Sequence, residues 1–313
     1  MTDATIPAIS LSLNDTDKDA FSAQLGGSFR RFGFAVIADH GLDPEVINRA
    51  LAATKAFFAL PEDAKRRYFI AGGGGARGYT PFGTENAKGA TAKDLKEFWH
   101  VGRDLSDGHP HRQWMADNLK PEEVSDWDAV HDLYAELDRL GAIILAAIAR
   151  HLDLPEDFFV DTVRDGNSVL RLLHYPPQAE VPEGSVRAAA HEDINTITLL
   201  LGAEEAGLQV KDRRDGKWID INPPAGCLVV NIGDMLQRLT NNVLPSTSHR
   251  VVNPAPERQG FSRYSTPFFL HFRPGYEIRT LENCISADNP DHYPEPITSQ
   301  AYLEERLREI GLK

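Results

Sequence analysis

The feature that most constrains the fold is a succession of short apolar segments in the second half of the chain, each bounded by turn residues. Turn-forming pairs such as Asp215-Gly216 and Pro223-Pro224 separate them. Many short strands at this spacing are typical of a β-sandwich or a β-barrel. The predicted strands are Val169–Tyr175, Ile197–Leu201, Gly207–Lys211, Trp218–Ile221, Cys227–Ile232, Ser248–Val252 and Tyr264–Arg273.

Helical periodicity dominates the first half of the chain. Asp43-Pro44 has the form of a helix start, because Asp is a favoured N-cap residue and Pro fits the first helical position. One short strand, Phe32–Ile37, interrupts the helices, and a last helix closes the chain. These patterns predict a β-barrel core with a helical layer packed on it. The predicted helices cover residues 17–31, 43–58, 122–152 and 298–312.

Composition narrows the class of protein. The 33 basic and 46 acidic residues give a net charge of −13, which disfavours nucleic acid as a partner. Two cysteines, Cys227 and Cys284, are too few for a disulfide framework or a four-thiolate zinc site. No secretory signal precedes Ser10, and the longest apolar run, Leu140 to Ala149, is too short to span a bilayer. We therefore expect a soluble cytoplasmic protein with no membrane partner.

A candidate metal site lies in the strand-rich half. Residues i and i+2 of a strand point to the same face, so His191 and Asp193 could converge, with His249 joining them from another predicted strand. Two imidazoles and one carboxylate can occupy one face of an octahedral ion and leave the other face for substrate and O2, as in non-haem Fe(II) oxygenases. By itself, a His-x-Asp pattern is equally compatible with chance and with structural histidines.

A candidate anion receptor follows on the last predicted strand. Arg263 and Ser265 share a face by the same alternation, and a guanidinium with a hydroxyl is a good receptor for a carboxylate. Tyr175 could add a second hydroxyl. The alternatives are a surface salt bridge for Arg263 and a core position for Tyr175.

The ordered motifs carry a family resemblance. Between about residue 5 and residue 275 the chain resembles the isopenicillin N synthase-like family of 2-oxoglutarate- and Fe(II)-dependent oxygenases. The matching motifs are Phe32-Gly33-Phe34, Asp39-His40-Gly41, Tyr175-Pro176-Pro177, His191-Glu192-Asp193, Thr196-Ile197-Thr198-Leu199-Leu200, Gly207-Leu208-Gln209-Val210, Lys217-Trp218, Asn231-Ile232-Gly233-Asp234, His249-Arg250-Val251 and Arg263-Tyr264-Ser265.

The resemblance implies a fold and a division of the chain. The fold is α+β with a mainly β core, a double-stranded β-helix (jelly-roll) barrel flanked by N-terminal helices and a C-terminal helix. Residues 1–160 would form a mostly helical N-terminal region, residues 161–280 the oxygenase domain, and residues 281–313 a C-terminal extension.

The resemblance also implies an activity and its residues. His191, Asp193 and His249 would ligate Fe(II), while Arg263, Ser265 and Tyr175 would hold 2-oxoglutarate. A small organic substrate would be hydroxylated or desaturated, with O2 consumed and succinate and CO2 released. Plant members often have Asn two residues before the matching Tyr, where this chain has Leu173.

Two other functions share these residues. One is an oxidase of the isopenicillin N synthase type that needs no 2-oxoglutarate, and the other is a non-catalytic β-barrel that binds a metal or a carboxylate. Contacts to the primary substrate are expected from Tyr79–Glu85, Glu97–His100 and Phe268. The pattern leaves the substrate and the oligomeric state open.

Overall fold

A computed structural model describes residues 5–73, 75–84, 95–177, 186–201, 207–253, 257 and 260–309. The strands are β1 Ala8–Ser10, β2 Phe34–Ala38, β3 Gly78–Thr80, β4 Glu97–Gly102, β5 Val169–Tyr175, β6 Ala188–His191, β7 Ile197–Leu201, β8 Leu208–Lys211, β9 Trp218–Asp220, β10 Leu228–Ile232, β11 His249–Val251, β12 Arg263–Ser265, β13 Pro267–Leu270, β14 Glu277–Ile278 and β15 Ile297–Thr298. The α-helices are α1 Leu13–Thr16, α2 Lys18–Phe32, α3 Pro44–Phe58, α4 Glu62–Arg66, α5 Asp128–His151, α6 Val160–Val163, α7 Asp234–Leu239 and α8 Ser299–Glu309.

Each predicted helix is present, although the third begins at Asp128 rather than at residue 122 and residues 310–312 of the last lie outside the described residues. Side chains cap two of them. Asp17 accepts a hydrogen bond from the Ala20 amide at the start of α2, and Asp43 accepts one from Glu45 at the start of α3. Helix α2 ends at Gly33, whose φ of 70° is a left-handed conformation that glycine adopts without strain. Across the described residues, no helix combines the length and apolarity needed to cross a membrane.

The larger sheet joins both halves of the chain. Nine described strands belong to it, in the order β1-β2-β10-β7-β13-β5-β4-β3, with β12 also pairing with β5. Strands β1, β3 and β4 were not predicted, because each is short or lacks alternation of polar and apolar residues. The N-terminal region therefore contributes strands to this sheet as well as helices, and helix α5 packs against it. The described strands do not close into a barrel.

A second sheet, in the order β6-β11-β8-β9, faces the first across an apolar cluster. Phe34 and Val229 come from the large sheet, whereas Ala188, Val210 and Val251 come from the small one. Burial of these side chains from both sheets holds the two layers together. The predicted mainly β core is therefore present as two packed sheets, whereas the predicted barrel is not closed by the described strands.

The strand predicted over Tyr264–Arg273 is two strands. Strand β12 pairs with β5 alone, and after Thr266 strand β13 pairs with both β5 and β7. Pro267 begins β13, a position where its missing N–H costs no interior ladder bond. The interruption places Arg263 and Ser265 against the end of β5, opposite Tyr175 and Leu173.

Strands β4, β5 and β12 have two chemically different faces. The outer face packs against the helical layer and carries Glu97, Trp99, Leu170, Leu172, His174 and Tyr264. The inner face lies on the opposite side and carries Phe98, His100, Arg171, Leu173, Tyr175, Arg263 and Ser265.

Candidate active site

Three metal-ligating side chains converge where the small sheet meets the large one. Strand β6 ends at His191 and strand β11 begins at His249, and these two residues are direct partners in the antiparallel ladder. The Nε2 atoms of His191 and His249 lie 3.9 Å and 3.8 Å from Oδ1 of Asp193. One potential ligand atom from each residue lies within 4.8 Å of the others.

The second nitrogen of each imidazole is held by the backbone. Nδ1 of His191 lies 2.7 Å from the Ala189 carbonyl, and Nδ1 of His249 lies 3.2 Å from the Thr247 carbonyl. A carbonyl only accepts, so each Nδ1 carries a proton, and in the neutral form of the ring Nε2 is left with a lone pair. This is the tautomer that binds a metal through Nε2.

Asp193 is positioned from the large sheet. Its Oδ2 accepts hydrogen bonds from Nδ2 of Asn231 at 2.8 Å and from Oγ1 of Thr198 at 2.5 Å. Oδ1 is left facing the two imidazoles. Burial alone would raise the pKa of this carboxyl, but the neighbouring histidines and these hydrogen bonds outweigh burial and lower the pKa. Asp193 is therefore ionised at neutral pH.

The low pKa of His191 also favours metal binding. Desolvation, followed by the neighbouring His249, lowers the pKa of His191 to about 4, although 42% of its side chain remains accessible to solvent. A neutral imidazole at physiological pH can donate its lone pair to a cation. Two neutral imidazoles and one carboxylate are a donor set that suits Fe(II) and other divalent transition metals.

The convergence has a different origin from the one we expected. Strand alternation does not bring His191 and Asp193 together, because β6 ends at His191 and Asp193 lies in the following segment. Pairing of β6 with β11 aligns the histidines, and strands β7 and β10 hold the carboxylate through Thr198 and Asn231. Asn231 and Thr198 both lie in motifs that carry the family resemblance, but no pattern predicted that either side chain contacts Asp193.

The candidate carboxylate receptor lies on the inner face. Arg263 and Ser265 are buried at 2% and 6% exposure, and Tyr264 between them points to the outer face, stacked on His174. The Arg263 guanidinium lies 5.1 Å from the centre of the Tyr175 ring, its neighbour across the ladder. Leu173 packs with Tyr175 and Phe98 rather than offering a polar group.

The residues expected to contact substrate divide between the two faces. Phe98 and His100 lie on the inner face. Tyr79 and Glu97 belong to the outer face, where they are buried. Phe268 packs edge-to-face on Tyr134 of α5 with ring centres 5.0 Å apart, so it belongs to the helix-facing core, contrary to expectation.

Two further positions from that expectation remain. Phe82 is exposed, and Glu85 lies outside the described residues.

A closed ionic network lies directly behind the inner face. Glu97 accepts hydrogen bonds from Lys65 Nζ at 2.6 Å, from His174 Nδ1 at 2.7 Å and from the Tyr79 hydroxyl. Burial would raise the pKa of Glu97, but these three donors outweigh burial and lower it. His174 Nε2 lies 2.9 Å from the Ser262 hydroxyl, which ties the network to the start of β12.

The chain matches known oxygenases over nearly its full length. The model of the 2OG-Fe(II) oxygenase superfamily matches residues 166–272, and a model described as non-haem dioxygenase in morphine synthesis N-terminal matches residues 6–123. A 2-oxoglutarate-Fe(II) type oxidoreductase of Emericella nidulans is 34% identical, with 85% of this chain and 78% of the relative covered. A proline hydroxylase of Petromyces alliaceus is 32% identical over 93% of each chain.

Solved structures agree with these relatives. A Caulobacter crescentus protein of the 2OG-Fe(II) oxygenase family superimposes with a TM-score of 0.92 at 60% identity, covering 99% of this chain and 100% of that one. A Neurospora crassa protein in complex with α-ketoglutarate and thymine gives a TM-score of 0.85 at 29% identity, covering 97% of this chain and 96% of that one. The chain therefore belongs to the 2OG-Fe(II) oxygenase superfamily and is a 2-oxoglutarate-dependent dioxygenase that uses Fe(II) and O2.

Proposed function

We propose that His191, Asp193 and His249 hold the Fe(II) of this enzyme. The observation that carries the assignment is the approach of the two Nε2 atoms to Asp193 Oδ1, while both Nδ1 atoms and Oδ2 are engaged elsewhere. Each side chain thus presents one donor atom, already oriented and in the protonation state that a cation needs.

Arg263, Ser265 and Tyr175 form the receptor for 2-oxoglutarate in this proposal. The buried guanidinium of Arg263 offers two parallel N–H donors to a carboxylate, and the Ser265 hydroxyl lies on the same face. The Tyr175 ring lies beside the guanidinium and limits its movement. These residues orient the cosubstrate, while the apolar neighbours Leu173 and Phe98 exclude water.

Bound Fe(II) and 2-oxoglutarate supply the oxidation of a substrate C–H bond, with release of succinate and CO2. The protein residues orient the reactants. The substrate is a small organic molecule that is hydroxylated or desaturated.

The same proposal includes a jelly-roll barrel and its boundaries. The two packed sheets support a double-stranded β-helix over residues 161–280, with a mostly helical region over 1–160 and an extension over 281–313. A cytoplasmic location and the absence of nucleic-acid and membrane partners remain predictions from composition.

An anaerobic titration tests the iron site. Fe(II) and 2-oxoglutarate added to the native protein should give a visible charge-transfer band, and admission of O2 should produce succinate. Asp193→Ala and His191→Ala should lose the band and reduce turnover to background, because the remaining ligands cannot chelate the ion.

Two surface variants provide the controls. His131→Ala and Asp161→Ala, on helices α5 and α6, should retain both signals. Full activity in Asp193→Ala with an intact thermal transition would reject the assignment. Omission of 2-oxoglutarate should abolish turnover of the native enzyme.

A further inference from the structure

A second arginine stands on the inner face, apart from the proposed cosubstrate receptor. The half-buried Arg171 lies in the middle of β5, its guanidinium 4.3 Å from the centre of the Phe98 ring and 5.4 Å from that of Phe269. Its Nε donates to Nε2 of His100 at 2.5 Å, and Nδ1 of His100 faces the Gly75 carbonyl. Aromatic rings and a neutral imidazole therefore hold Arg171 in one orientation.

The position of Phe269 connects this arginine with the metal triad. Phe269 is the ladder partner of Thr198, whose hydroxyl donates to Asp193. Side chains of directly paired residues lie on the same face of a sheet. Arg171, Phe269 and the residues that hold Asp193 thus line one continuous surface.

A third arginine reaches the same surface from the edge of the sheet. Arg77 precedes β3 and is 3% exposed, and a side chain at Gly102 of β4 would overlap its guanidinium. Gly102 lies two residues beyond His100, so the guanidinium occupies the inner face beside the His100–Arg171 pair.

The polar contacts of Arg77 are few for a buried cation. Its Nη atoms donate to the Ala76 carbonyl at 2.7 Å and to Asn167 Oδ1 at 3.5 Å. Its Nε has no hydrogen-bond partner. Among the described residues, no carboxylate forms an ion pair with the Arg77 guanidinium. A buried cation with incomplete hydrogen bonding is costly unless a ligand completes it.

The formal charges at the proposed active site indicate which charge such a ligand must have. Fe(II) and Arg263 together carry three positive charges, which Asp193 and dianionic 2-oxoglutarate balance. Arg77, beside Arg171, adds positive charge beyond this balance. The protein as a whole has a net charge of −13, so a local excess of positive charge does not follow from composition.

We propose that the primary substrate is an organic carboxylate whose anionic group binds to Arg171 and Arg77 and whose apolar body packs on Phe98 and Phe269. The proposal rests on the function given above, because it assigns the substrate of that active site. An arginine fork matches the two oxygens of a carboxylate, and the flanking rings provide apolar contact.

Matched pairs of compounds test the substrate class. The probes are benzoate, phenylacetate, cinnamate and hexanoate, each with its primary amide, and phenyl phosphate. Binding to the anaerobic Fe(II)–2-oxoglutarate complex is followed by the change in its visible band, and turnover by succinate release. At least one acid should bind roughly 10-fold or more tightly than its amide, as expected for a charge-assisted pair, and more tightly than phenyl phosphate.

Variants of the two arginines test the site. Arg171→Gln and Arg77→Gln should weaken binding of the preferred acid roughly 10- to 100-fold, as expected for a lost charge-assisted hydrogen bond. Binding of the amide and half-saturation by 2-oxoglutarate should not change. Arg171→Lys should recover part of the affinity, and Arg164→Gln, an exposed arginine of the segment after α6, should behave like the native enzyme.

Several outcomes would overturn the proposal. These are equal binding of every acid and its amide, tighter binding of phenyl phosphate, or an unchanged acid preference in both arginine variants. A large rise in the 2-oxoglutarate half-saturation of Arg171→Gln would also do so, because Arg171 would then serve the cosubstrate.

Calorimetry with the metal-free protein separates this proposal from the iron assignment. Acid binding that depends on Arg171 should persist without metal. Absence of the visible band in the native protein would instead contradict the assignment of the triad as the iron site. The preference for the acid over its amide, measured by calorimetry, would not be affected.

Discussion

The two faces of the sheet around β4 and β5 carry buried charges in different ways. On the outer face, Glu97 is paired with Lys65 and bonded by His174 and Tyr79, so the carboxylate meets its counterion inside the protein. On the inner face, the buried guanidinium of Arg77 has no carboxylate partner among the described residues, and Arg171 beside it lies over aromatic rings. The inner face therefore presents positive charge on the side of the triad.

The presence or absence of an ion-pair partner distinguishes a buried charge that stabilises the fold from one that is available to a ligand. Glu97 and Arg77 are both 3% exposed, and both carry a charge in a largely apolar setting. What separates them is that Glu97 forms an ion pair with Lys65, whereas Asp104 and Asp117 act on Arg77 only from beyond ion-pair distance among the described residues. Substitutions on the outer face should therefore change stability, and those on the inner face should change ligand binding.

The largest effect on stability is expected from Lys65→Met on the outer face. Removal of the ammonium leaves the buried Glu97 carboxylate without its counterion, which should cost about 3–5 kcal/mol of unfolding free energy. Urea denaturation measures the loss. The double variant Lys65→Met/Glu97→Gln should recover part of it, whereas an unaltered midpoint in the single variant would show that the network contributes little.

On the inner face, Arg263→Ala should act mainly on the cosubstrate. Loss of the buried guanidinium should raise the 2-oxoglutarate concentration for half-maximal turnover roughly 10- to 100-fold. Steady-state succinate production measures the change. Lys65→Met serves as the comparison. Assayed below its melting temperature, this variant should need nearly the native 2-oxoglutarate concentration for half-maximal turnover. Unchanged 2-oxoglutarate dependence in Arg263→Ala would reassign the residue.

A smaller effect is expected from the residues that orient Asp193. Asn231→Ala and Thr198→Val each remove one hydrogen bond to Oδ2 and should weaken Fe(II) binding roughly 10-fold, within the range for such supporting groups. Equilibrium titration with Fe(II) under argon gives the affinity. Thr198→Ser, which keeps the hydroxyl, should retain native affinity. Equal weakening in both Thr198 variants would argue for a packing role.

A separate effect concerns the acid stability of the metal-free protein. Burial lowers the pKa of His271 to about 4, below the ordinary value of 6.5. The unfolded chain therefore binds the extra proton between these values, so stability falls as pH drops through this window, by up to about 1.4 kcal/mol per pH unit. His271→Asn should reduce that slope in urea titrations without abolishing it, because His191 titrates over the same range. An unchanged slope would show that His271 is not the group responsible.

Local patterns allowed the helices and most strands to be predicted. Asp17 and Asp43 cap the predicted helices, and the strands Val169–Tyr175 and Ile197–Leu201 have the predicted bounds. Strands β3 and β4 were missed because pairing with distant strands stabilises them more than their own periodicity does. Phe268 was assigned to the site because sequence position alone does not tell which face of β13 it occupies.

The sequence by itself determined the residue types of the site, their order along the chain and the family to which they belong. The sequence motifs alone point to His191, Asp193, His249, Arg263 and Ser265. The tertiary structure determines which face of the sheet each residue occupies and which group forms an ion pair or hydrogen bond with it. Both properties depend on contacts between segments far apart in the chain. Ladder pairing aligned the two histidines, Thr198 and Asn231 oriented the carboxylate, and burial of Arg77 beside Arg171 placed a second positive group on the inner face.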